Sequence, residues 1–448
     1  MAVEGRATSS TGGGGQLASA ATHSILGIPA PLEIAWGLLM LASLTFEVRT
    51  AEQSLAGQLD TTYLLRFVYV CLALGIILFN LQRVPRFRAS PVSIFLLYTM
   101  FCVLSSLWSI GPVATFGKAV ELMAAALVVW ITAATPDRII RLQRLMTLTV
   151  AIACALLFYV SIGAIIFPAD FWEPSAGIFP YLLTSSQIHS NSISQYGALV
   201  GLIMIAKALQ SQSKGRKIVY VAVYLATFAF PILAQGRTGM VSMTVGTVLI
   251  LLRARPYQAL ILIPLVGGLV FTFFGDALVA LFLRGQDEEM LLSLSGRTTW
   301  WGWGWAAFLE HPFGGSGFGV GGRNVFLTNA ALSDTTSSTH NGFLEVLLGV
   351  GLAGFAIWCA SLLWSFVLVG AAYIAGRRLD VLAGWVVVLT ATILSVGAGG
   401  WMDMIVAYLL VSSSILWEER QRMRIARQRK GARATEMGLQ LARLRLGR

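Results

Sequence analysis

Residues 145–167 read LMTLTVAIACALLFYVSIGAIIF, a run without a single charged side chain. A helix needs about 20 apolar residues to cross a bilayer, and it satisfies its backbone polar groups internally. Scanning outward from this run on the same criterion gives twelve candidate segments: about 30–48, 63–81, 92–110, 119–135, 145–167, 192–210, 218–235, 239–252, 257–275, 343–370, 382–399 and 404–417. The sequence therefore predicts an all-α, polytopic integral membrane protein with about twelve transmembrane helices.

The composition excludes an ordinary soluble domain. Hydrophobic residues make up 56% of the chain, charged residues only 12%, and the mean hydropathy is +0.74. A soluble domain carries about 25% charged residues. The four cysteines all fall inside apolar runs, so the sequence predicts neither a disulfide framework nor a CxxC metal site: Cys71, Cys102, Cys154 and Cys359.

Lysine and arginine orient the predicted helices, because basic loops resist translocation. With both termini in the cytoplasm, every short cytoplasmic loop is basic and residues 418–448 carry a further cluster of arginines. The opposite set of loops holds few basic residues: Arg49, Lys118, Arg237, Arg284, Arg297 and Arg323. Most of the net charge of +11 is therefore topogenic, with anionic lipid rather than nucleic acid as its partner.

The same pattern divides the chain into three parts. Residues 1–28 are rich in glycine and serine and lack a signal-peptide core, so we expect a disordered cytoplasmic tail. Residues 29–417 form the transmembrane domain, in which a large outer loop, 276–342, separates helices nine and ten. Residues 418–448 form a basic cytoplasmic tail. Long loops are usually functional, which directs attention to 276–342 and to the second long outer segment, 168–191.

The tryptophan-rich run at 296–305, GRTTWWGWGW, lies in the large outer loop. Trp301 and Trp305 share one helical face, as expected of a helix lying at the headgroup level. An interfacial aromatic belt and a platform that stacks on sugar rings remain equally open. Arg297 precedes them by one turn, where a lipid-linked phosphate would emerge.

Two glycine motifs resemble nucleotide sites and fail the test of context. The GxGxxG at 317–322 has no preceding strand and no βαβ unit, so a tightly turned or flexible loop against substrate is the better interpretation. Gly117-Lys118 lacks the remaining P-loop residues. The chain has no HExxH and no clustered histidine pair, and Asp287-Glu288-Glu289 is typical of a solvated acidic turn. We expect no metal and no cofactor.

Three short motifs remain, and each has a purely structural explanation when it is taken alone. They are Gly236-Arg237-Thr238 after the seventh helix, Gly296-Arg297 before the tryptophans, and His340-Asn341 followed by nine residues and Gly351-Leu352-Ala353-Gly354. An arginine at a membrane edge commonly snorkels, and a histidine can cap a helix. Together and in this order, over about residues 92–417, they resemble the O-antigen ligase and Wzy-type polysaccharide polymerase superfamily, with ExoQ-type exopolysaccharide polymerases most similar. Gln235-Gly236 replaces the serine-rich lead of many members.

The resemblance implies an inverting, metal-independent glycosyl transfer from an undecaprenyl-pyrophosphate-linked glycan. It takes place at the periplasmic face of a bacterial inner membrane. His340 is the candidate general base, with a reference pKa near 6.5, and Arg237 and Arg297 are the candidates that stabilise the pyrophosphate. The candidate substrate-binding residues are Arg323, His189, Asn191, Asn341, Glu345, Trp301 and Trp305.

Three functions stay open at this point. The first is a polymerase of lipid-linked repeat units, working with an oligosaccharide donor, a glycan acceptor and membrane lipid, and in contact with chain-length and export proteins. A ligase that moves finished glycan to lipid A core or another acceptor shares the same donor half-reaction. A lipid-linked glycan transporter or flippase is disfavoured because the predicted helix interiors hold almost no charge and the halves show no repeat.

Overall fold

The computed structural model describes residues 30–44, 61–81, 88–175, 179–185, 188–283, 285–286, 293, 296–327, 338–395 and 402–446. The helices are α1 (Pro31–Leu44), α2 (Thr61–Asn80), α3 (Pro91–Leu104), α4 (Pro112–Thr132), α5 (Arg138–Ile166), α6 (Pro168–Phe171), α7 (Ser190–Gln210), α8 (Lys214–Leu233), α9 (Arg237–Ala254), α10 (Pro256–Leu283), α11 (Arg297–Glu310), α12 (Gly321–Leu327), α13 (Gly342–Ile374), α14 (Leu379–Leu394) and α15 (Met404–Leu446). A 3-10 turn, Ser105–Leu107, follows α3. Strands β1 (Trp172–Pro174) and β2 (Tyr181–Leu183) pair as an antiparallel hairpin with Trp172 opposite Leu183.

Each of the twelve segments selected by hydropathy overlaps one of these helices. Within the described ranges, six helices are long and apolar enough to cross a membrane: α4, α5, α7, α8, α10 and α13. Several shorter apolar helices accompany them. The all-α, multi-pass character is therefore confirmed, while the number of twelve spans and their orientation stay predictions.

Capping side chains fix where several of the helices begin. Ser90 caps α3 by accepting a hydrogen bond from the Ser93 backbone N–H, and Pro91 takes the first helical position. Asp403 caps α15 through 2.8 Å hydrogen bonds from the backbone N–H groups of Ile405 and Val406. These side chains satisfy backbone donors that the first helical turn leaves without a partner.

Helix α7 lies at the centre of the bundle and packs against α8, α9 and α14. Glycines permit this proximity. A Cβ on Gly197 would overlap Phe230 of α8, and one on Gly201 would overlap Met243 of α9 and Thr227 of α8. The Gly197/Gly201 pair therefore serves packing within the chain.

The helix ends form two separate groups. At one end, Arg144 pairs with Glu33 at 3.3 Å, Arg138 pairs with Glu418, and Arg378 pairs with Glu419 at 2.9 Å. The starts of α2, α4, α7, α9, α13 and α15 lie at the opposite end, which we call the His340 end. These two groups of helix ends match the two sets of loops that the distribution of lysine and arginine predicts on opposite sides of the membrane.

The helices modify the predicted part boundaries at two places. Helix α10 continues to Leu283, beyond the predicted loop start at 276. Helix α15 runs without a break into the basic segment, as far as Leu446. The predicted tail 1–28 and the acidic turn Asp287-Glu288-Glu289 lie outside the described residues. The division of the chain into three parts stays a prediction.

Candidate functional site

His340 lies in a turn, residues 338–341, that leads into α13; we call it the His340 turn. The backbone of His340 has a φ of 51°, in the left-handed region that residues other than glycine rarely adopt. Asn341 is the N-cap of α13, and its Oδ1 accepts hydrogen bonds from Phe343 N (3.0 Å) and Leu344 N (3.2 Å). The helix predicted from about residue 343 is confirmed, and Asn341 acts as its cap.

A buried clasp fixes the other side of the same turn. The Glu345 Oε1 atom accepts hydrogen bonds from the Thr339 backbone N–H at 2.6 Å and from the Thr339 hydroxyl at 2.8 Å. Both side chains are buried. Glu345 thus ties the first turn of α13 to the residue before His340.

Helix α11 forms an aromatic platform under the His340 turn. Trp301 donates from Nε1 to the Thr339 carbonyl at 2.9 Å. The Trp300 ring lies 5.8 Å from the His340 ring, centroid to centroid, at an angle of 35°. On its other side Trp300 makes an edge contact with Phe326 of α12. Trp305 is 53% exposed, on the outer face of the helix.

Burial and neighbouring charges act on the His340 imidazole. Desolvation by burial, together with the positive charges of Arg297 and His189, lowers the pKa of His340 to about 3. The ring is therefore neutral at physiological pH and able to accept a proton. Of the predicted residues, His340, Arg297 and His189 are thus close enough to interact electrostatically.

Arg297 begins α11 and connects it to the bundle. Its Nη1 atom donates a 2.7 Å hydrogen bond to the Leu394 carbonyl, at the end of α14. The platform that carries His340 is therefore attached to a bundle helix through the candidate phosphate-binding arginine.

Arg237 lies in a second turn, residues 234–237, which we call the Gln235 turn. Gln235 has a φ of 46° and is fully buried. Its amide donates to the carbonyls of Phe179 and Tyr181 at 3.3 Å, and its Oε1 accepts from the Ser175 hydroxyl at 3.1 Å. The turn is thereby joined to the β hairpin of the 168–191 segment.

The side chain of Arg237 points away from the hairpin contacts. Its Nη2 atom donates to the Leu283 carbonyl at 3.0 Å and to Gln286 Oε1 at 2.8 Å, at the end of α10. Beneath the turn, the Ser194 hydroxyl donates to the Gly236 carbonyl at 2.9 Å, and a Cβ on Gly239 would overlap Ser194. These contacts place Arg237 at the His340 end.

The glycine run 314–322 contacts protein backbone rather than presenting an open loop to substrate. Gly351 interrupts α13 with φ 62° and ψ −169°, a conformation essentially restricted to glycine. Ser316 N donates to the Leu348 carbonyl at 2.8 Å and Gly317 N to the Gly349 carbonyl at 2.9 Å, across this break. The tightly turned alternative of the sequence prediction is confirmed, and the tight fit is to α13.

A cleft of about 620 Å³ opens at the His340 end beside these turns. Its lining residues include the predicted His189 and Arg323 and come from six parts of the chain: Ser43, Leu44, Arg66, Lys118, Ile188, His189, Ser192, Tyr196, Arg323, Met402 and Asp403. Lys118 donates from Nζ to the Gly319 carbonyl at 3.0 Å. Asn191 is next to the cleft and donates its backbone N–H to His189 Nδ1 at 3.1 Å.

Sequence reasoning missed Trp300, Gln235, Thr339, Arg66 and a role for Lys118. Trp300 was visible within the tryptophan run, and Lys118 as a basic residue on the outer side. Gln235 and Arg66 bind residues more than fifty positions away, for which one sequence carries no signal, whereas Thr339 binds Glu345 only six positions further along. Within the described residues, no group of three or more His, Cys, Asp or Glu side chains is placed to hold a metal ion. The metal-independent reaction stays a prediction.

Comparison with known proteins supports the motif-based resemblance over one part of the chain. Residues 221–359 match the family model described as O-antigen ligase. No curated protein matches the chain significantly. The matched segment contains Arg237, Arg297, Arg323 and His340, whereas His189 and Asn191 precede it. The match covers less than half of the chain, and over residues 221–359 it supports the resemblance to the O-antigen ligase and Wzy-type polymerase superfamily.

Proposed function

We propose that the chain is a glycosyltransferase that polymerises lipid-linked polysaccharide repeat units at the periplasmic face of the bacterial inner membrane. The observation that carries the proposal is the His340 turn. A neutral histidine is held in a strained conformation beside the Trp300 ring and within electrostatic reach of Arg297, in the segment that matches the O-antigen ligase family. Backbone strain of this kind clusters at functional sites.

The proposed reaction is an in-line displacement at the anomeric carbon of the donor. The acceptor hydroxyl oxygen forms the new glycosidic bond, and the bond between the anomeric carbon and the pyrophosphate oxygen breaks. The acceptor proton passes to His340, and the electron pair of the broken bond leaves with undecaprenyl pyrophosphate. Attack from the opposite face inverts the anomeric configuration.

Arg297 has two effects on this reaction. Its guanidinium can bind pyrophosphate oxygens bidentately, and in the absence of an anion its charge lowers the pKa of His340. A bound pyrophosphate compensates that charge, so donor binding raises the pKa of His340 and strengthens it as a base. Arg237 is proposed as the second pyrophosphate ligand. Arg297→Lys should retain part of the activity if charge matters more than fork geometry.

The second candidate function is a ligase that transfers finished glycan to lipid A core or to another acceptor. The description of the matching family model favours it. The donor half-reaction is the same in both functions, so His340, Arg237 and Arg297 keep their proposed roles. The two functions differ in the acceptor, which is a growing lipid-linked chain for a polymerase.

Deletion of the gene, followed by analysis of lipid-linked glycans, tests the proposal. Accumulation of single repeat units on the carrier at the periplasmic face supports the polymerase. Full-length polymer left on its carrier supports the ligase and contradicts polymerisation. Single repeats confined to the cytoplasmic face indicate a flippase, and an unchanged glycan profile contradicts the whole proposal.

A further inference from the structure

The cleft at the His340 end contains more positive side chains than the proposed reaction uses. Arg66 comes from α2, Lys118 from α4 and Arg323 from α12, and all three line the cleft. The Lys118 ammonium is within electrostatic reach of both Arg66 and Arg323. Three cations held together repel one another, and a bound anion relieves that repulsion.

Carboxylates lie close to these positive side chains. Arg66 donates from Nε and Nη2 to Glu121 Oε2 at 2.9 and 2.6 Å, in a pair whose Glu121 side chain is 4% exposed. The carboxylate of Glu345 acts electrostatically on Arg323 and Lys118. Burial raises the pKa of Asp403, the lining carboxyl, to about 7, which favours its neutral form. The cleft thus combines three basic side chains with two glutamates that act on them.

The position of the cleft relates it to the acceptor. His189 lines the cleft, and its charge also lowers the pKa of His340, so the cleft adjoins the proposed general base. Arg237 and Arg297, the proposed pyrophosphate ligands, are not among the described residues that line it.

We propose that this cleft is a subsite for a carboxylate-bearing sugar, such as a hexuronic acid, next to the acceptor hydroxyl. The basic side chains of Lys118 and Arg323 can bind a sugar carboxylate, whereas the proposed pyrophosphate ligands Arg237 and Arg297 are not part of the described lining. The lining also provides apolar surface for a sugar ring, from Tyr196, Ile188 and Met402. The inference rests on the proposed function, because it takes His340 to be the base that activates the acceptor.

Binding of a labelled acidic oligosaccharide tests the subsite without requiring turnover. The purified full chain in lipid nanodiscs is titrated with fluorescent trigalacturonate, with unlabelled maltotriose as the neutral competitor. We expect Lys118→Gln and Arg323→Gln each to weaken the Kd at least tenfold. The matched control is Lys217→Gln, at an exposed position on α8 beyond the other end of the bundle, and it should leave the Kd unchanged.

Three results would overturn the subsite. In the first, maltotriose displaces labelled trigalacturonate at equal concentration. In the second, inorganic pyrophosphate displaces it at a lower concentration than unlabelled trigalacturonate does. In the third, Lys217→Gln weakens the Kd for trigalacturonate as much as Lys118→Gln does. Arg323→Gln keeps the test decisive if Lys118→Gln fails to fold. His340→Ala separates the two proposals, because it should abolish transfer while trigalacturonate still binds. Transfer that survives in this variant contradicts the role of His340 and leaves the binding result standing.

Discussion

The His340 turn and the Gln235 turn are built alike and anchored differently. In each, a residue other than glycine takes a positive φ, 51° for His340 and 46° for Gln235, just before a helix begins. In each, a buried polar side chain holds the turn: Glu345 binds Thr339, and Gln235 binds the hairpin carbonyls. Such conformations cost about 1–3 kcal/mol and persist where the surroundings determine them.

The difference lies in what each turn is attached to. The His340 turn rests on the α11 platform, part of the large loop, through Trp301. The Gln235 turn rests on the bundle, through the contact between Ser194 and Gly236. The proposed base and one proposed phosphate ligand are therefore carried by separate supports. Arg297 joins them, since it begins the platform helix and binds the Leu394 carbonyl of the bundle.

Substitution of a tightly packed glycine should have the largest effect on stability, both in α13 beside the large loop and beside the Gln235 turn. At Gly351 a Cβ would overlap the backbone of Phe313, and the backbone there has the φ of 62°. At Gly239 a Cβ would overlap Ser194. We expect Gly351→Ala and Gly239→Ala each to lower the free energy of unfolding by about 3 kcal/mol or more, measured as loss of thermal stability in detergent.

The matched control for both glycines is Gly370→Ala, in α13, where a Cβ meets no atom within 4 Å. Alanine favours a helix by about 1 kcal/mol over glycine, so this variant should be at least as stable as the unchanged chain. If Gly351→Ala and Gly370→Ala melt alike, the break in α13 is not what holds the glycine run.

Removing the buried polar side chain that holds each turn should change a different kinetic parameter in each case. Glu345→Ala leaves Thr339 without its acceptor and misplaces the base, so kcat should fall about tenfold to a hundredfold with little change in KM. Gln235→Ala loosens the arginine turn, so KM for the lipid-linked donor should rise. Glu345→Gln keeps an acceptor for Thr339 and should recover most of the rate. Identical kinetic changes in both alanine variants would contradict two separately supported turns.

The Trp300 ring beside His340 should contribute less to the transfer rate than the buried Glu345 side chain does. Trp300→Leu removes the ring beside the imidazole, a contact worth about 1 kcal/mol, and should lower kcat about fivefold. Trp300→Phe keeps an aromatic face and should recover much of that loss. A transfer assay on purified protein measures both variants. Equal rates for the leucine and phenylalanine variants would show that the ring does not position the histidine.

The smallest expected effect is that of pH on kcat/KM between pH 5 and 8. His340 acts as a base in its neutral form, and because its pKa is about 3 it stays neutral down to well below pH 5. We expect kcat/KM to show no acid limb from His340 between pH 5 and 8. Arg297→Gln removes a charge that lowers this pKa, so the limb should move to higher pH.

Asp403→Asn is the control for the profile, because Asp403 has a raised pKa of about 7. A limb near neutral pH that disappears in this variant belongs to Asp403. A limb near pH 6.5 that remains in Asp403→Asn would contradict the depressed pKa of His340.

Much of the fold follows from residue type alone. Hydropathy located every segment that became one of the long apolar helices, because lipid requires continuous apolar stretches. Asn341 was predictable at a helix start, since its side chain accepts bonds that the helix leaves open. The break at Gly351 was not, because glycine also occurs within straight membrane helices and the break depends on the distant run 314–322.

The site was predictable in kind and less so in arrangement. Conspicuous side chains on one side of the predicted membrane pointed to His340, Arg297 and Arg237. Their partners escaped notice: Trp300 turns toward His340 only because α11 packs on α12 and α13, and Gln235 was seen merely as a departure from a family pattern. The pair between Arg66 and Glu121 joins two helices, and nothing local in the sequence indicates it.

Single-turnover transfer by purified protein, from an undecaprenyl-pyrophosphate-linked oligosaccharide, tests the central role of His340 most directly. His340→Ala is compared with His311→Ala, an exposed histidine of the same loop. We predict that His340→Ala lowers the rate by about 10² to 10⁴ while His311→Ala transfers at the unchanged rate. A folded His340→Ala protein that transfers as fast as His311→Ala would contradict the account.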